Sequence, residues 1–152
     1  MKTFISNSSE QTEQIASEFA QTLFQGDIVA VYGELGAGKT VFARGILKGL
    51  NYSGYVTSPT YIVVNEYVIS TNPANIRKVV HFDMYRIETE ADLDSTGFYD
   101  YCQQQAVVLI EWGDRVEYLL DENTKRVYIE GSGDDARTIT IVSGKMNDIV
   151  SS

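Results

Sequence analysis

The sequence predicts an α/β protein: one domain with a central mixed β-sheet flanked by helices and with antiparallel strands at its C-terminal end. Three observations predict it. An apolar run, Ile28–Tyr32, is followed by a Gly-rich turn and then by apolar residues at helical spacing, the order strand, loop, helix. Two further runs rich in β-branched residues, Val79–Asp83 and Val107–Glu111, each end in a carboxylate, as buried parallel strands do at a functional sheet edge. Two pairs of β-prone segments, Tyr61–Ile69 with Lys78–Asp83 and Arg126–Glu130 with Thr138–Val142, are each joined by a polar turn and read as hairpins.

The elements follow in order. Thr3–Ile5 is a short edge strand. Ser8 with Gln11, or Asn7 with Glu10, supplies an N-terminal cap. Ile15, Ala16, Phe19, Ala20, Leu23 and Phe24 then form one apolar helical face, which Gly26 ends. Ile28–Tyr32 is a buried strand. After the Gly-rich turn, Phe42, Ile46, Leu47 and Leu50 mark a second helix. Ser70–Asn75, containing Pro73, is the turn of the first hairpin. Glu90–Gln105 reads as one or two short helices broken near Gly97, and Arg115–Leu120 as helical. Gly131–Ala136 is the turn of the last hairpin. The domain is expected over residues 1–145, with 146–152 a polar tail.

The chain has 152 residues, 43% hydrophobic and 22% charged, enough to bury a core in one domain. No apolar run approaches the length of a bilayer span, and the N-terminus reads without a signal-peptide apolar region. Cys102 is the only cysteine, so no intramolecular disulfide and no cysteine-based zinc site can form. The expected location is the cytoplasm. The net charge of −9 opposes strong independent binding to nucleic acid and directs the search for partners toward proteins.

The most informative segment is Gly33-Glu34-Leu35-Gly36-Ala37-Gly38-Lys39-Thr40. It satisfies the G-x-x-x-x-G-K-[ST] pattern of a phosphate-binding loop. Backbone N–H groups of such a loop surround the phosphates of a nucleotide. Lys39 adds a cation at the β- and γ-phosphates, the Thr40 hydroxyl can ligate Mg²⁺, and the following helix aims its positive end at the same anion. A nucleotide hydrolase also needs an acid opposite the loop, at the carboxyl end of a strand. Glu111 fits that place well and Asp83 almost as well, although an apolar run ending in an acid is equally a helix cap or a surface ion pair.

The remaining candidates are weaker. Thr57-Ser58-Pro59-Thr60 stands where a threonine can sense a γ-phosphate, but spacing alone favours a plain proline turn. His81, the only histidine, reads as a packed or surface residue rather than a catalytic base. Trp112 either lines the nucleotide pocket or packs at the sheet end. Arg44, Arg86 and Arg115 lie near candidate segments, and none is singled out. There is no Asn-Lys-x-Asp guanine-reading motif and no protein-kinase motif set.

Taken together, GELGAGKTVFARG (33–45), SPTY (58–61), HFDMYR (81–86), Gly97 with its preceding acidic helix, and IEW (110–112) resemble, in this order, the bacterial TsaE (YjeE) family. The resemblance covers about residues 8–115 and is weaker beyond. It implies a P-loop ATPase of tRNA threonylcarbamoyladenosine biosynthesis that binds ATP and hydrolyses it slowly. It implies Mg²⁺ held by Thr40 and Glu111, with Lys39, Asp83 and Glu111 as catalytic residues. Nucleotide contacts would come from Gly33, Glu34, Leu35, Gly36, Ala37, Gly38, Lys39, Thr40, Thr60 and Trp112. It places Thr57–Thr60 and Asp83 in switch-like segments and Ser9–Thr12 near the base. It implies TsaD and TsaB as protein partners that carry the tRNA chemistry. One departure is local: Leu119-Leu120 is followed by Asp121-Glu122, where many relatives have a proline. Three readings stand at this point: an ATPase that drives a modification complex, a nucleotide-gated binding module, and a small-molecule kinase.

Overall fold

The computed structural model of the chain describes residues 1–56, 64–70, 72 and 74–143. Seven strands form one mixed sheet: β1 (Lys2–Ser6), β2 (Ile28–Tyr32), β3 (Val64–Val68), β4 (Lys78–Asp83), β5 (Val107–Glu111), β6 (Lys125–Glu130) and β7 (Arg137–Val142). Their order across the sheet is β1-β7-β6-β2-β5-β4-β3. The centre is parallel, with β2 between β5 and β6 and with β4 beside β5. The wings are antiparallel: β3 pairs with β4, β7 with β6, and β1 with β7. The predicted mixed sheet and both predicted hairpins are present.

The period-two alternation of the parallel strands divides the core in two. Val79, Val107 and Leu109 face one side with Phe42, Ile46 and Leu47; Val80, Phe82, Val108 and Ile110 face the other with Leu93 and Phe98. The first side is covered by α1 (Ser9–Ala20) and α2 (Lys39–Gly49), the second by the short α3 (Glu90–Asp94) and α4 (Phe98–Cys102). Helices α1 and α2 approach closely. A Cβ at Gly45 would lie 2.6 Å from the Ala16 Cβ, and one at Gly49 would lie 2.6 Å from the Ser17 carbonyl.

Local signals explain the helix ends. Ser8 caps α1 by accepting from the Gln11 N–H, and Gln11 Oε1 accepts from the Asn7 N–H at 2.6 Å. Thr89 and Asp92 form a complete capping box at α3. Gly97, at φ 75°, separates α3 from α4, the predicted break.

Two expectations need correction. Helix α1 ends at Ala20, not at Gly26, and Phe24 is 69% exposed rather than part of the apolar face. The chain leaves the helix through tight turns, Thr22 N–H to Phe19 O and Leu23 N–H to Ala20 O, and Asp27 then accepts from the Phe24 N–H. Residues 115–120 form no α-helix. The expected helical character is met only by two 3-10 turns, Gly113–Arg115 and Glu117–Leu119, separated by Val116 at φ −125°, ψ 15° and followed by extended Leu120. The turn after them is closed by Asp121, whose carboxylate accepts from the Asn123 N–H. Tyr61–Val63 and the expected tail 146–152 lie outside the described residues.

Candidate functional site

Parallel pairing brings the carboxyl ends of β2, β4 and β5 to one edge of the sheet. Ala30 and Val31 pair with Ile110 and Glu111, and Asp83 pairs with Glu111. His81 and Asp83 are two apart on β4, and Leu109 and Glu111 two apart on β5, so all four face the α2 side. The loop Gly33–Gly38 leaves β2 at this edge and enters α2 at Lys39. Gly36 and Gly38 adopt left-handed backbone, φ 82° and 108°, which a side chain would resist. At Gly33 a Cβ would lie 2.7 Å from the Ile129 carbonyl, so β6 closes one side of the loop.

Lys39 and Thr40 meet the strand-end acids here. Lys39 is 5% exposed; its ammonium donates to the Gly33 carbonyl at 2.7 Å and the Glu34 carbonyl at 2.9 Å. It also lies 4.1 Å from the Trp112 ring centroid, within cation–π range. Burial pushes the Lys39 ammonium below the usual lysine value, and the nearby Glu111, Asp83, Asp114 and Glu34 carboxylates act in the opposite direction. The Thr40 hydroxyl lies 3.2 Å from both carboxylate oxygens of Glu111. Glu111 is 3% exposed. Asp83 is half-buried, and its Oδ1 accepts from the Tyr85 N–H at 3.0 Å.

Trp112 stands just past Glu111 in left-handed backbone, φ 60°, an uncommon setting for a bulky residue. Its ring packs 4.8 Å from that of Tyr85 and borders a cleft of about 340 Å³ with Tyr32, Gly33, Glu34 and Asp114. Trp112 thus packs at the sheet end and flanks the loop. On the opposite side of the loop a second cleft, about 320 Å³, runs between Ser6–Ser9, Thr12, Gly36–Gly38, Val41 and Arg137.

The residues fit a polyphosphate and a hard divalent cation. The loop has the left-handed glycines and the lysine ammonium that an anion cradle uses, and Thr40 with Glu111 offers the oxygen donors that Mg²⁺ takes.

The structure brings Gly33–Thr40, Asp83, Glu111 and Trp112 together. Thr57–Thr60, including the candidate Thr60, lie outside the described residues. Arg115 lies over Tyr85, 6.0 Å from its ring centroid, and Arg86 is exposed.

Two further residues border the site: His81, which the sequence reads as packed or at the surface, and Arg137, which it does not single out. His81 is fully buried, with Nε2 2.6 Å from Glu111 Oε2, and its Nδ1 has no hydrogen-bond partner among the described residues. A strand residue two positions before a strand-end acid was the available signal. Arg137, at the start of β7, reaches the loop backbone: Nε donates to Ala37 O at 2.9 Å and Nη2 to Gly36 O at 3.2 Å. No pattern in the sequence announces that contact.

Comparison with known proteins agrees with this architecture. The family model described as "Threonylcarbamoyl adenosine biosynthesis protein TsaE" matches residues 6–139. The tRNA threonylcarbamoyladenosine biosynthesis protein TsaE of Bacillus subtilis (strain 168) is 35% identical over 134 residues, 88% of this chain and 80% of that protein. Its counterpart of the same name in Haemophilus influenzae is 38% identical over 116 residues, 76% of this chain and 70% of that protein. The crystal structure of Bacillus subtilis YdiB superposes with a TM-score of 0.77 at 28% identity, covering 98% of this chain and 89% of that one. With a matching family model over most of its length, relatives above 30% identity and a shared P-loop NTPase fold, the chain belongs to the TsaE family of threonylcarbamoyl adenosine biosynthesis proteins.

Proposed function

We propose that this chain is a Mg²⁺-dependent ATPase of the cytoplasm that supports formation of threonylcarbamoyladenosine in tRNA, cycling ATP within a complex with TsaD and TsaB. The observation that carries the proposal is the convergence of Lys39, Thr40 and Glu111 at the mouth of the Gly33–Gly38 loop.

The roles follow from the chemistry of each group. The loop backbone and Lys39 hold the β- and γ-phosphates, and Lys39 leaves the Gly33 and Glu34 carbonyls to do so. Thr40 and Glu111 hold Mg²⁺, which neutralises charge on the phosphates. His81 holds the Glu111 carboxylate in orientation through Nε2. Asp83, beside Glu111, orients the attacking water or reports the presence of the γ-phosphate, and Thr60 belongs to the same switch. Trp112 flanks the phosphates, and the nucleoside enters the cleft lined by Ser9, Thr12 and Gly36–Gly38.

Family membership and charge support the choice of partners. An acidic chain of net charge −9 is suited to a basic protein surface and not to tRNA itself. The test is ATP turnover by the purified chain, alone and with TsaD and TsaB. Mg²⁺-dependent hydrolysis that rises with the partners is expected. Nucleotide-dependent association without turnover would replace the ATPase by a nucleotide-gated binding module, and transfer of phosphate to a metabolite would make it a kinase.

A further inference from the structure

We propose that Arg137 is a positioning residue for the phosphate loop: from β7, outside the loop–helix unit, it sets the direction in which the loop's N–H groups point. The inference rests on the loop binding ATP phosphates, as proposed above.

The guanidinium makes four hydrogen bonds, all to backbone carbonyls. Nε donates to Ala37 O at 2.9 Å, and Nη2 donates to Gly36 O at 3.2 Å and to Gly133 O at 3.1 Å. Nη1 donates to Asp135 O. Arg137 therefore ties the 131–136 turn to the loop, about a hundred residues earlier in the chain. Its own position is fixed twice. It pairs with Ser6 of β1 in the antiparallel ladder, and the turn folds tightly over it: a Cβ at Gly131 would lie 2.6 Å from Ala136 O and 3.0 Å from the Arg137 Cδ.

A planar trans peptide points its C=O and the next N–H in opposite directions. Holding the Gly36 carbonyl toward Arg137 turns the Ala37 N–H the other way, and that N–H closes the loop's inner turn on Glu34 O at 3.0 Å. Holding the Ala37 carbonyl toward Arg137 turns the Gly38 N–H away from β7, and on the function proposed above that N–H is free to meet a phosphate. Gly36 and Gly38 have the widest conformational choice of any residue type, so an external clamp is what makes one of their conformations dominate. Pre-setting the donors lowers the ordering cost of binding and so raises affinity.

The test is calorimetric titration of the whole chain with ATP and Mg²⁺, at a temperature below the measured melting of every variant, for wild type, Arg137→Gln, Arg137→Lys and Lys39→Ala. Backbone amide exchange over residues 33–40 and melting temperature are measured alongside. Arg137→Gln is expected to weaken ATP binding about tenfold, the scale of a lost charge-assisted hydrogen bond, and to speed amide exchange in the nucleotide-free loop. Arg137→Lys keeps the charge but cannot fork two carbonyls, so it is expected to remain several-fold weaker than wild type. It carries the test if Arg137→Gln does not fold. A folded Arg137 variant with a lower melting temperature but wild-type ATP affinity overturns the inference, because Arg137 then only staples the hairpin. Full recovery in Arg137→Lys overturns it too, since charge alone would suffice. Lys39→Ala separates the two levels: if it binds ATP normally, the loop is not the nucleotide site and both readings fall. If it loses binding while Arg137→Gln does not, only the role of Arg137 falls.

Discussion

His81 and Glu111, 30 residues apart in sequence, meet across neighbouring parallel strands with Nε2 and Oε2 2.6 Å apart and both side chains buried. The same Glu111 carboxylate faces the Thr40 hydroxyl, so it is held from the sheet on one side and presented to α2 on the other. With no partner for Nδ1 among the described residues and a carboxylate opposite Nε2, the ring's hydrogen bond there is committed to Glu111. Replacing His81 by Phe is expected to weaken the Mg²⁺ dependence of ATP binding by about 10–100-fold, the usual effect of losing a group that orients a metal ligand. ATP binding in the presence of a chelator should change little. His81→Gln, which can donate from nearly the same place, should recover most of the difference. Equal Mg²⁺ titrations for wild type and His81→Phe would reduce His81 to core packing.

Lys39 gives the most direct test of the loop. Lys39→Ala should weaken ATP binding at least tenfold, since charge-assisted contacts contribute about 1.5–3 kcal/mol each, and should stop hydrolysis. The domain should remain folded, because the Lys39 ammonium is held by two loop carbonyls rather than by the core. Calorimetry with circular dichroism checks both statements.

The two strand-end acids should separate kinetically. Glu111→Ala is expected to reduce hydrolysis and to blunt the Mg²⁺ dependence of binding. Asp83→Ala should lower turnover more than ground-state affinity, because a group that orients water acts chiefly in the transition state. Normal hydrolysis with normal Mg²⁺ dependence in Glu111→Ala would remove this acid from the site.

Cys102 offers a pH test of packing. Burial pushes its thiol up to about 11, from an ordinary 9.0. Between these values the unfolded chain releases the proton first, so this group's contribution to stability is intact below about 9 and is lost as the pH rises toward about 11. Alkylation by iodoacetamide at pH 8.5 should be on the order of 100-fold slower in the folded protein than in denaturant, since only the thiolate reacts. Similar rates in the two states would show that the thiol is not held in an apolar site.

Residues Glu88–Asp100 hold Glu88, Glu90, Asp92, Asp94 and Asp100 with no Lys or Arg, and are expected to meet a basic partner surface, but the five acids are not equivalent. Asp92 completes the α3 capping box, and Glu90 accepts hydrogen bonds from the Tyr99 and Tyr118 hydroxyls. Charge reversal at Glu88, Asp94 and Asp100, all exposed, avoids both structural roles. That triple Lys variant should associate with TsaD–TsaB about tenfold more slowly at low salt, with a weaker salt dependence and unchanged ATP affinity. Stopped-flow association at two ionic strengths decides it; wild-type rates would place the contact elsewhere.

Much of the fold was legible because its signals are local. Ile28–Tyr32, Val107–Glu111 and both hairpins announce themselves through β-branched runs and turn residues, and Gly97 marks its own break. The loop and Glu111 were legible because a fixed spacing and a strand end are properties of contiguous residues. What escaped depends on chain segments distant in sequence. The partner of His81 is on the next strand, and Arg137 returns to a loop 100 residues earlier. The end of α1 was misplaced because Leu23 and Phe24 continue the helical spacing after the backbone has already turned at Thr22. Residues 115–120 carry a helical composition, but Val116 leaves the helical region and divides them into two single turns.

The contact between α1 and α2 has a consequence for how the chain can vary. Glycine inside a helix costs roughly 1 kcal/mol relative to alanine, yet α2 carries Gly45 and Gly49 one turn apart, facing Ala16 and Ala20 of α1. Alanine at either glycine would favour the isolated helix and still be wrong for the protein. Its methyl would meet the α1 backbone at 2.6 Å and lever the axis of α2 outward. Thr40 sits at the first turn of that axis, so the aim of its hydroxyl at Glu111 depends on two side chains that must remain missing a turn or more away. Mutational tolerance on the rear face of α2 is therefore set by the geometry of the nucleotide edge and not by helix propensity.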